Sequence, residues 1–121
     1  MELELLKDTF SVCKVEGLDG VRLDAPFTFL SRTDEECSLV CPTALVPVGC
    51  RTREDGWRAF RVCGAMDFSM VGVLAGISGA LASAGVSLFA LSTYNTDYVL
   101  VKADKWVDAT RALVAAGYRF V

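Results

Sequence analysis

The strongest constraint on the fold is a stretch without charge at residues 68–96, in a chain of which 22% is charged. Within it, residues 70–91 are 22 mostly apolar residues, and a run of about 20 can span a bilayer. Seven of the 22 are Gly or Ser, Gly85 interrupts them, and the acidic residues Asp67 and Asp97 flank the stretch. Because no Lys/Arg cluster is present to orient a membrane span, we interpret the run as a buried helix followed by a buried strand, with no membrane contact.

In the second half of the chain, apolar periodicity predicts the order β-α-β-β-α-β. The predicted strands are residues 57–63, 86–92, 97–102 and 118–121, and the predicted helices run from about Ser69 to Ala84 and from Asp104 to Gly117. The apolar stripes expected to face inward are Met70, Leu74, Ile77 and Leu81 on the first helix and Trp106, Val107, Leu113 and Val114 on the second. This order predicts an α+β, ferredoxin-like fold, with a four-stranded antiparallel sheet and both helices on one face.

The first half of the chain resembles the second at an offset of 61 residues. The aligned segments are Leu30-Ser31 with Leu91-Ser92, Leu39-Val40 with Leu100-Val101, and Asp34 with Asn95 in the turn between them. An offset of half the chain length is what a duplicated unit would produce. Because residues 8–16 alternate like a strand where the second half has its long helix, we predict a degenerate copy at residues 1–56 and a complete domain at residues 57–121. Residues 51–56 are the most linker-like stretch.

Composition excludes several classes of function. The net charge is −3, from 12 basic and 15 acidic residues, so the chain lacks the basic surface of a nucleic-acid-binding protein. Without histidine it has no His-based acid–base chemistry. The five cysteines (Cys13, Cys37, Cys41, Cys50 and Cys63) form neither a disulfide framework nor a paired metal motif. We therefore expect no metal and no cofactor, and because the acidic start is unlike a secretory leader we expect a cytoplasmic protein.

Two segments contain more polar or flexible residues than packing requires. The turn at residues 64–69 enters a helix whose first turns hold Gly72, and helix N-terminal amides attract carboxylates. Gly72 either lets a ligand approach the backbone or joins Gly76, Gly79 and Ser83 in a small-residue packing stripe. The segment Ser92-Thr93-Tyr94-Asn95-Thr96-Asp97-Tyr98 is the second, with hydroxyls, an amide and a carboxylate between apolar strands. Its Asp97 either closes the turn or binds a cationic group.

The same segments resemble a known family. Residues 27–35 and 38–42, Asp67-Phe68-Ser69 with Gly72, and above all Leu-Ser-Thr-Tyr-Asn-Thr-Asp-Tyr-Val-Leu-Val at residues 91–101 are similar to tandem ACT-domain proteins. The resemblance is to small bacterial members and to the ACT repeats of animal cytosolic arginine sensors. It implies a ferredoxin-like ACT fold in tandem and regulatory binding of a small molecule, usually an amino acid, where two ACT units meet.

The resemblance also implies a set of ligand-binding residues. Carried onto matching positions, they are Asp67, Phe68, Ser69, Gly72, Val73, Ser87, Leu88, Thr93, Tyr94 and Asp97. Because the chain has half as many ACT units as the arginine sensors, we expect its sites to form in a homodimer.

Three hypotheses of function follow. The first is a non-enzymatic regulatory module that binds an amino acid as a homodimer. The second is a ligand-free dimerisation or partner-binding subunit that uses strand edges and the small-residue helix face. The third, ranked last, is an enzyme using a cysteine or Asp67, and no sequence feature indicates an activated residue of this kind.

Overall fold

The structure, a computed structural model, describes residues 1–64 and 70–121, which form two compact units. Unit 1 consists of Met1–Lys7 and Arg58–Val121, and unit 2 of Asp8–Trp57. The boundaries fall inside strand β1 (Glu2–Lys14) and strand β4 (Arg53–Val62), so each of these strands supplies residues to both units.

Unit 1 contains the predicted β-α-β-β-α-β order. After β4 come α1 (Val73–Ser83), β5 (Phe89–Ser92), β6 (Asp97–Lys102), a 3₁₀ turn at Ala103–Lys105 that leads into α2 (Trp106–Ala115), and β7 (Arg119–Phe120). The strand order is β7-β1-β4-β6-β5, and β5 and β6 pair antiparallel with Ser92 opposite Asp97. The ferredoxin-like α+β prediction is confirmed.

The sheet of unit 1 has one strand more than the four predicted. The start of β1 lies between β4 and β7: the Cys63 amide donates to the Glu2 carbonyl at 3.0 Å, and the Val121 amide donates to the Leu3 carbonyl at 2.8 Å. β1 and β7 are parallel, so the sheet is not purely antiparallel. The strand pairing of residues 2–7 depends on residues far along the chain, which a local pattern does not identify.

Both helices pack on the same face of this sheet. The buried side chains form one cluster that includes Phe60, Val62, Val99 and Val101 from the strands, Ile77 and Leu81 from α1, and Ala109 and Leu113 from α2. Trp106 packs against Phe120 edge to face, with ring centroids 5.9 Å apart. No helix among the described residues has the length and hydropathy needed to cross a membrane.

The predicted inward stripes are correct only in part. Ile77, Leu81 and Leu113 are buried, but Val107 and Val114 are each 58% exposed and Met70 lies exposed before α1 begins. On α2 the buried face instead runs through Ala109, a small residue that apolar periodicity underweights.

The helix boundaries are set by glycines with positive φ. Gly72, at φ 82°, is the N-cap of α1, so the helix begins at Val73 and not near Ser69. Ser69, near which the helix was predicted to begin, lies outside the described residues. Gly85, at φ 72°, follows the helix as predicted, and the Val86 amide donates to the Leu81 carbonyl at 2.9 Å.

Unit 2 is built from strands and turns. β2 (Phe29–Arg32) pairs antiparallel with β3 (Cys37–Pro42), which pairs with the end of β1, and a 3₁₀ turn at Thr43–Leu45 follows. One small buried cluster of this unit is Cys13, Leu39 and Cys41. Residues 51–56 were predicted as a linker, but β4 already begins at Arg53, so most of this stretch is strand.

Matching elements recur in the structure at an offset of 60 residues, and not at the predicted 61. β2 begins at residue 29 and β5 at 89, β3 at 37 and β6 at 97, and the two 3₁₀ turns at 43 and 103. The sequence alignment matched Leu-Ser with Leu-Ser, whereas the strand register aligns Thr33 with Thr93 at the start of each turn. The domain boundary after residue 56 stays a prediction.

Candidate functional site

A cleft of about 290 Å³ lies in unit 1 between the start of α1 and the turn that joins β5 to β6. Its lining residues are Met70, Gly72, Val73, Leu74, Ala75, Ser92, Thr93, Tyr94, Asn95, Thr96 and Asp97. The two segments that the sequence marked separately, a glycine-led helix start and a polar turn, therefore form opposite walls of one cavity.

The turn is held by the hydroxyls of two threonines. The Thr93 amide donates to the Thr96 carbonyl at 2.9 Å, and the Thr93 hydroxyl donates to the same oxygen at 3.0 Å. Thr96, only 7% exposed, donates through its own hydroxyl to the Val62 carbonyl at 2.8 Å and so anchors the turn to β4. These bonds leave Tyr94 at the tip, exposed to solvent beside the cleft.

Asp97 is a nearly buried carboxylate at the first position of β6, with 8% of its surface exposed. The Ser92 hydroxyl, directly opposite on β5, donates to Asp97 Oδ1 at 2.7 Å. The side-chain oxygen that closes the turn belongs to Thr93, so turn closure does not explain Asp97. An ionised carboxylate has about four acceptor positions, so Asp97 can accept further hydrogen bonds from a group in the cleft.

The opposite wall is the N-terminus of α1. The first helical bond runs from the Gly76 amide to the Gly72 carbonyl at 2.9 Å, and no side chain in the described part of the chain caps this end. The amides of the first helical turn, at Val73, Leu74 and Ala75, therefore border the cleft and carry the partial positive charge of a helix N-terminus. A Cβ placed on Gly72 would meet no atom of residues 1–64 or 70–121 within 4 Å.

The predicted site residues are distributed unevenly around this cleft. Those that line it are Gly72, Val73, Thr93, Tyr94 and Asp97. Ser87 and Leu88 precede β5 and are not part of its lining, while Asp67, Phe68 and Ser69 lie outside the described residues. Sequence reasoning did not single out Ser92 as a partner of Asp97. Their opposition across the hairpin could have been inferred from a four-residue turn.

The small residues of α1 separate into two groups. A Cβ on Gly76 would come within 2.7 Å of the Tyr118 hydroxyl, so close packing explains that glycine. No atom of the described residues lies within 4 Å of a Cβ built on Gly79, and Ser83 is exposed, so the packing stripe expected at these positions is wrong for both. They belong to an outward face of α1, a helix without a charged residue.

A comparison with known protein families identifies the family to which this fold belongs. Residues 52–115 match the sequence profile of the ACT domain. The match covers more than half of the chain, which therefore belongs to the ACT-domain family, as the resemblance predicted. No curated protein sequence matches the chain significantly.

Similarity to solved structures covers nearly the whole chain. Protein Atu0741 of Agobacterium tumefaciens superposes with a TM-score of 0.89 at 24% identity, over 99% of this chain and 91% of that one. Protein VC0802 of Vibrio cholerae, of unknown function and described as a possible transport protein, gives 0.76 at 22% identity over 92% and 85%. The ligand-free regulatory subunit of aspartate kinase from Thermus thermophilus gives 0.67 at 14% identity over 95% and 96%. At identities this low, the superpositions show that the fold is shared and nothing more.

Proposed function

We propose that the chain is a regulatory ACT module without catalytic activity, which binds an amino acid in the unit 1 cleft and acts as a homodimer. The observation that carries the proposal is the pairing of two complementary walls: the amides at the start of α1 and the carboxylate of Asp97. A free amino acid carries a carboxylate and an ammonium group on one carbon, and these walls offer a partner for each. The similarity to regulatory subunits of aspartate kinase agrees with a regulatory function.

The binding mode follows from hydrogen-bonding chemistry. The α-carboxylate accepts from the amides of Val73, Leu74 and Ala75, where the helix dipole favours an anion. The α-ammonium donates to Asp97, whose Oδ1 already accepts from Ser92, and to the hydroxyl of Thr93. Tyr94, at the rim, then contacts the ligand side chain. A volume of about 290 Å³ is at the small end of ligand pockets and suits a molecule of this size.

The homodimer is supported by the outward surface of α1. Val71 and Ala75 are exposed beside the cleft, and the helix carries no charge that would keep this surface in water. Exposed apolar patches commonly mark interaction surfaces. In the proposed dimer a second copy closes the ligand site. The ligand contacts that the family resemblance implies for Asp67, Phe68, Ser69, Ser87 and Leu88 remain part of this proposal.

The test is a thermal-shift screen against the twenty amino acids at millimolar concentration, followed by calorimetry on those that bind. A ligand at about 100 times its Kd stabilises the folded state by roughly 2.7 kcal/mol, which raises Tm by several degrees. Because hydrogen bonds to a charged group contribute about 1.5–3 kcal/mol, Asp97→Asn is expected to weaken binding tenfold or more. Asp104→Asn, at an exposed acid outside the cleft, is the matched control and keeps full affinity.

Two outcomes count against the proposal. A screen in which no amino acid shifts Tm contradicts amino-acid binding and favours the partner-binding alternative. Equal affinities of Asp97→Asn and Asp104→Asn place the ligand elsewhere. The oligomeric state is measured separately by analytical ultracentrifugation, where a chain of 13.1 kDa sedimenting as a monomer at all concentrations contradicts the homodimer.

A further inference from the structure

A second cavity, of about 370 Å³, lies beside the amino-acid cleft in unit 1. Met70, Gly72 and Val73 line both cavities, so the segment that leads into α1 is their common border. The residues that follow α2, among them Ala116 and Tyr118, form another part of the second cavity's lining. The start of α1 therefore faces two cavities, of which the proposed binding mode uses one.

The border between the two cavities is lowest at Gly72. Glycine has no side chain, and a Cβ built on Gly72 would meet no atom of the described residues within 4 Å, so a ligand can approach the backbone closely here. In the proposed binding mode, the α-carboxylate accepts from the amides that directly follow this glycine, beginning at Val73. A ligand side chain that extends from that position past Gly72 enters the second cavity.

The border segment and the second cavity offer apolar contacts. Met70 and Val71 are 48% and 93% exposed, and both line the second cavity. Among the residues that the structure describes on the lining of the two cavities, one side chain is charged, that of Asp97, and the α-ammonium occupies it in the proposed binding mode.

The charge of the ligand side chain therefore decides what it gains in the second cavity. A charged side chain would lose part of its hydration without gaining a side chain of opposite charge. An apolar side chain would instead remove its own surface and that of Met70 and Val71 from water, which is favourable.

We propose that the unit 1 site selects amino acids with an uncharged, apolar side chain long enough to pass Gly72 into the second cavity. The inference rests on the proposed function, because the α-carboxylate and α-ammonium must be held as described for the side chain to start at this position. The walls of the first cleft bind the groups that all amino acids share. Met70 and Val71 contact the side chain, which distinguishes one amino acid from another.

The test is calorimetry of the full chain with alanine, 2-aminobutyrate, norvaline and norleucine, whose unbranched side chains differ by one methylene at each step. Because full burial of a methylene improves binding about fourfold, the affinity is expected to rise by about two- to fourfold at each step. Lysine has the norleucine side chain with a terminal ammonium, and glutamate ends in a carboxylate. Both are expected to bind at least tenfold more weakly than norleucine.

A charged variant tests where the side chain lies. Val71→Asp introduces a carboxylate on the second cavity, so it attracts the lysine ammonium and removes an apolar contact of norleucine. The ratio of lysine to norleucine affinity is expected to rise about fivefold or more. Val114→Asp is the same change at an exposed position of α2 that is not part of either lining, and it leaves the ratio unchanged. The ratio cancels any effect of a variant on folding or association.

Three results would overturn the inference and leave the proposed function intact: equal affinities from alanine to norleucine, lysine or glutamate binding as tightly as norleucine, or a ratio that Val71→Asp does not change. The glutamate measurement includes any attraction by the amino group of Met1, a residue that borders the second cavity. Failure of the proposed function looks different, because then no amino acid binds or Asp97→Asn binds all of them as tightly as the wild type.

Discussion

The two β-hairpins of the duplicated unit, β2–β3 and β5–β6, have the same backbone and different surroundings. In each, a threonine begins a four-residue turn: the Thr33 amide donates to the Glu36 carbonyl at 2.8 Å, and the Thr93 amide donates to the Thr96 carbonyl at 2.9 Å. Each threonine hydroxyl also accepts from the amide three residues later. The turn therefore depends on the threonine and the strand register, and both hairpins have them.

The residues around that shared turn differ in chemistry. The first hairpin continues with exposed acidic residues and then buried Cys37, where the second has Asn95, buried Thr96 and buried Asp97. The second hairpin lines a cleft that also includes the start of an α-helix. The comparison teaches that a hairpin alone does not create the site; a helix N-terminus must lie opposite it.

The largest expected effect tests the dependence of unit 1 on its helices. Leu113→Ala removes a fully buried side chain of α2 and is expected to lower the free energy of unfolding by about 3 kcal/mol. Val114→Ala, at the exposed neighbouring position, is expected to cost no more than about 0.5 kcal/mol. Urea unfolding measures both. Similar losses for the two variants would mean that α2 does not pack as described.

The next prediction distinguishes a role of Gly72 in ligand binding from a purely structural role at the end of a helix. Gly72 and Gly85 lie at the two ends of α1 and both have positive φ. In the described part of the chain, no atom lies within 4 Å of a Cβ built on either glycine. Replacement by alanine is expected to cost about 1–2 kcal/mol of stability at each, because L-residues are strained in this conformation. Only Gly72→Ala is expected to weaken amino-acid binding in calorimetry. Equal affinity of the two variants would remove Gly72 from the site.

A pH prediction contrasts the cores of the two units. The buried members of the unit 1 cluster are aliphatic or Phe, whereas that of unit 2 contains Cys13, whose pKa burial raises from 9.0 to about 12. Between these values the unfolded chain loses the thiol proton and the folded chain keeps it. The free energy of unfolding therefore falls as pH rises above 9, by about 1.4 kcal/mol at pH 10.

The measurement for this prediction is the stability difference between the wild type and Cys13→Ala as a function of pH, which cancels groups common to both chains. The difference is expected to be constant below pH 8 and to shrink above pH 9. A difference that stays constant to pH 10.5 would contradict a buried, protonated Cys13.

The smallest effect tests the hairpin comparison itself. Thr33→Ala and Thr93→Ala each remove the hydroxyl that holds one turn, so each is expected to lower the free energy of unfolding by about 1 kcal/mol. Thr33 is the matched control because its hairpin has the same turn and no part in the cleft. Thr93→Ala alone should weaken amino-acid binding. If the two variants bind alike, the Thr93 hydroxyl makes no ligand contact.

Local patterns predicted much of the fold. The helix ends at Gly85 and Gly117 and the hairpin around Asn95 are as predicted, because glycine conformations and turn chemistry act over a few residues. The pairing of β1 with β7 was not predicted, since it depends on residues distant in the chain. The outward position of Val107 was not predicted because apolar periodicity underweights the small buried residue Ala109. The one-residue error in the repeat offset arose because identical Leu-Ser pairs outweighed the register set by the turn.

The site was predictable to a similar extent. Gly72 and Asp97 were selected separately for their chemistry, and the structure places both in one cleft. The hydrogen bond from Ser92 to Asp97 follows from the four-residue turn but was not inferred, whereas the anchoring of Thr96 to β4 depends on a residue distant in the chain. Ser87 and Leu88 do not line the cleft and precede β5, which begins at Phe89 and not at residue 86 as predicted.

The most direct test of the central claim is a ¹⁵N NMR titration of the full chain with the amino acid that gives the largest thermal shift. The account predicts saturable chemical-shift changes centred on the amides of Val73, Leu74 and Ala75 and on the turn from Thr93 to Asp97. It predicts no change at the matching turn from Thr33 to Cys37. Changes centred on the first hairpin, or no saturable change at either, would contradict the assignment of the unit 1 cleft as the amino-acid site.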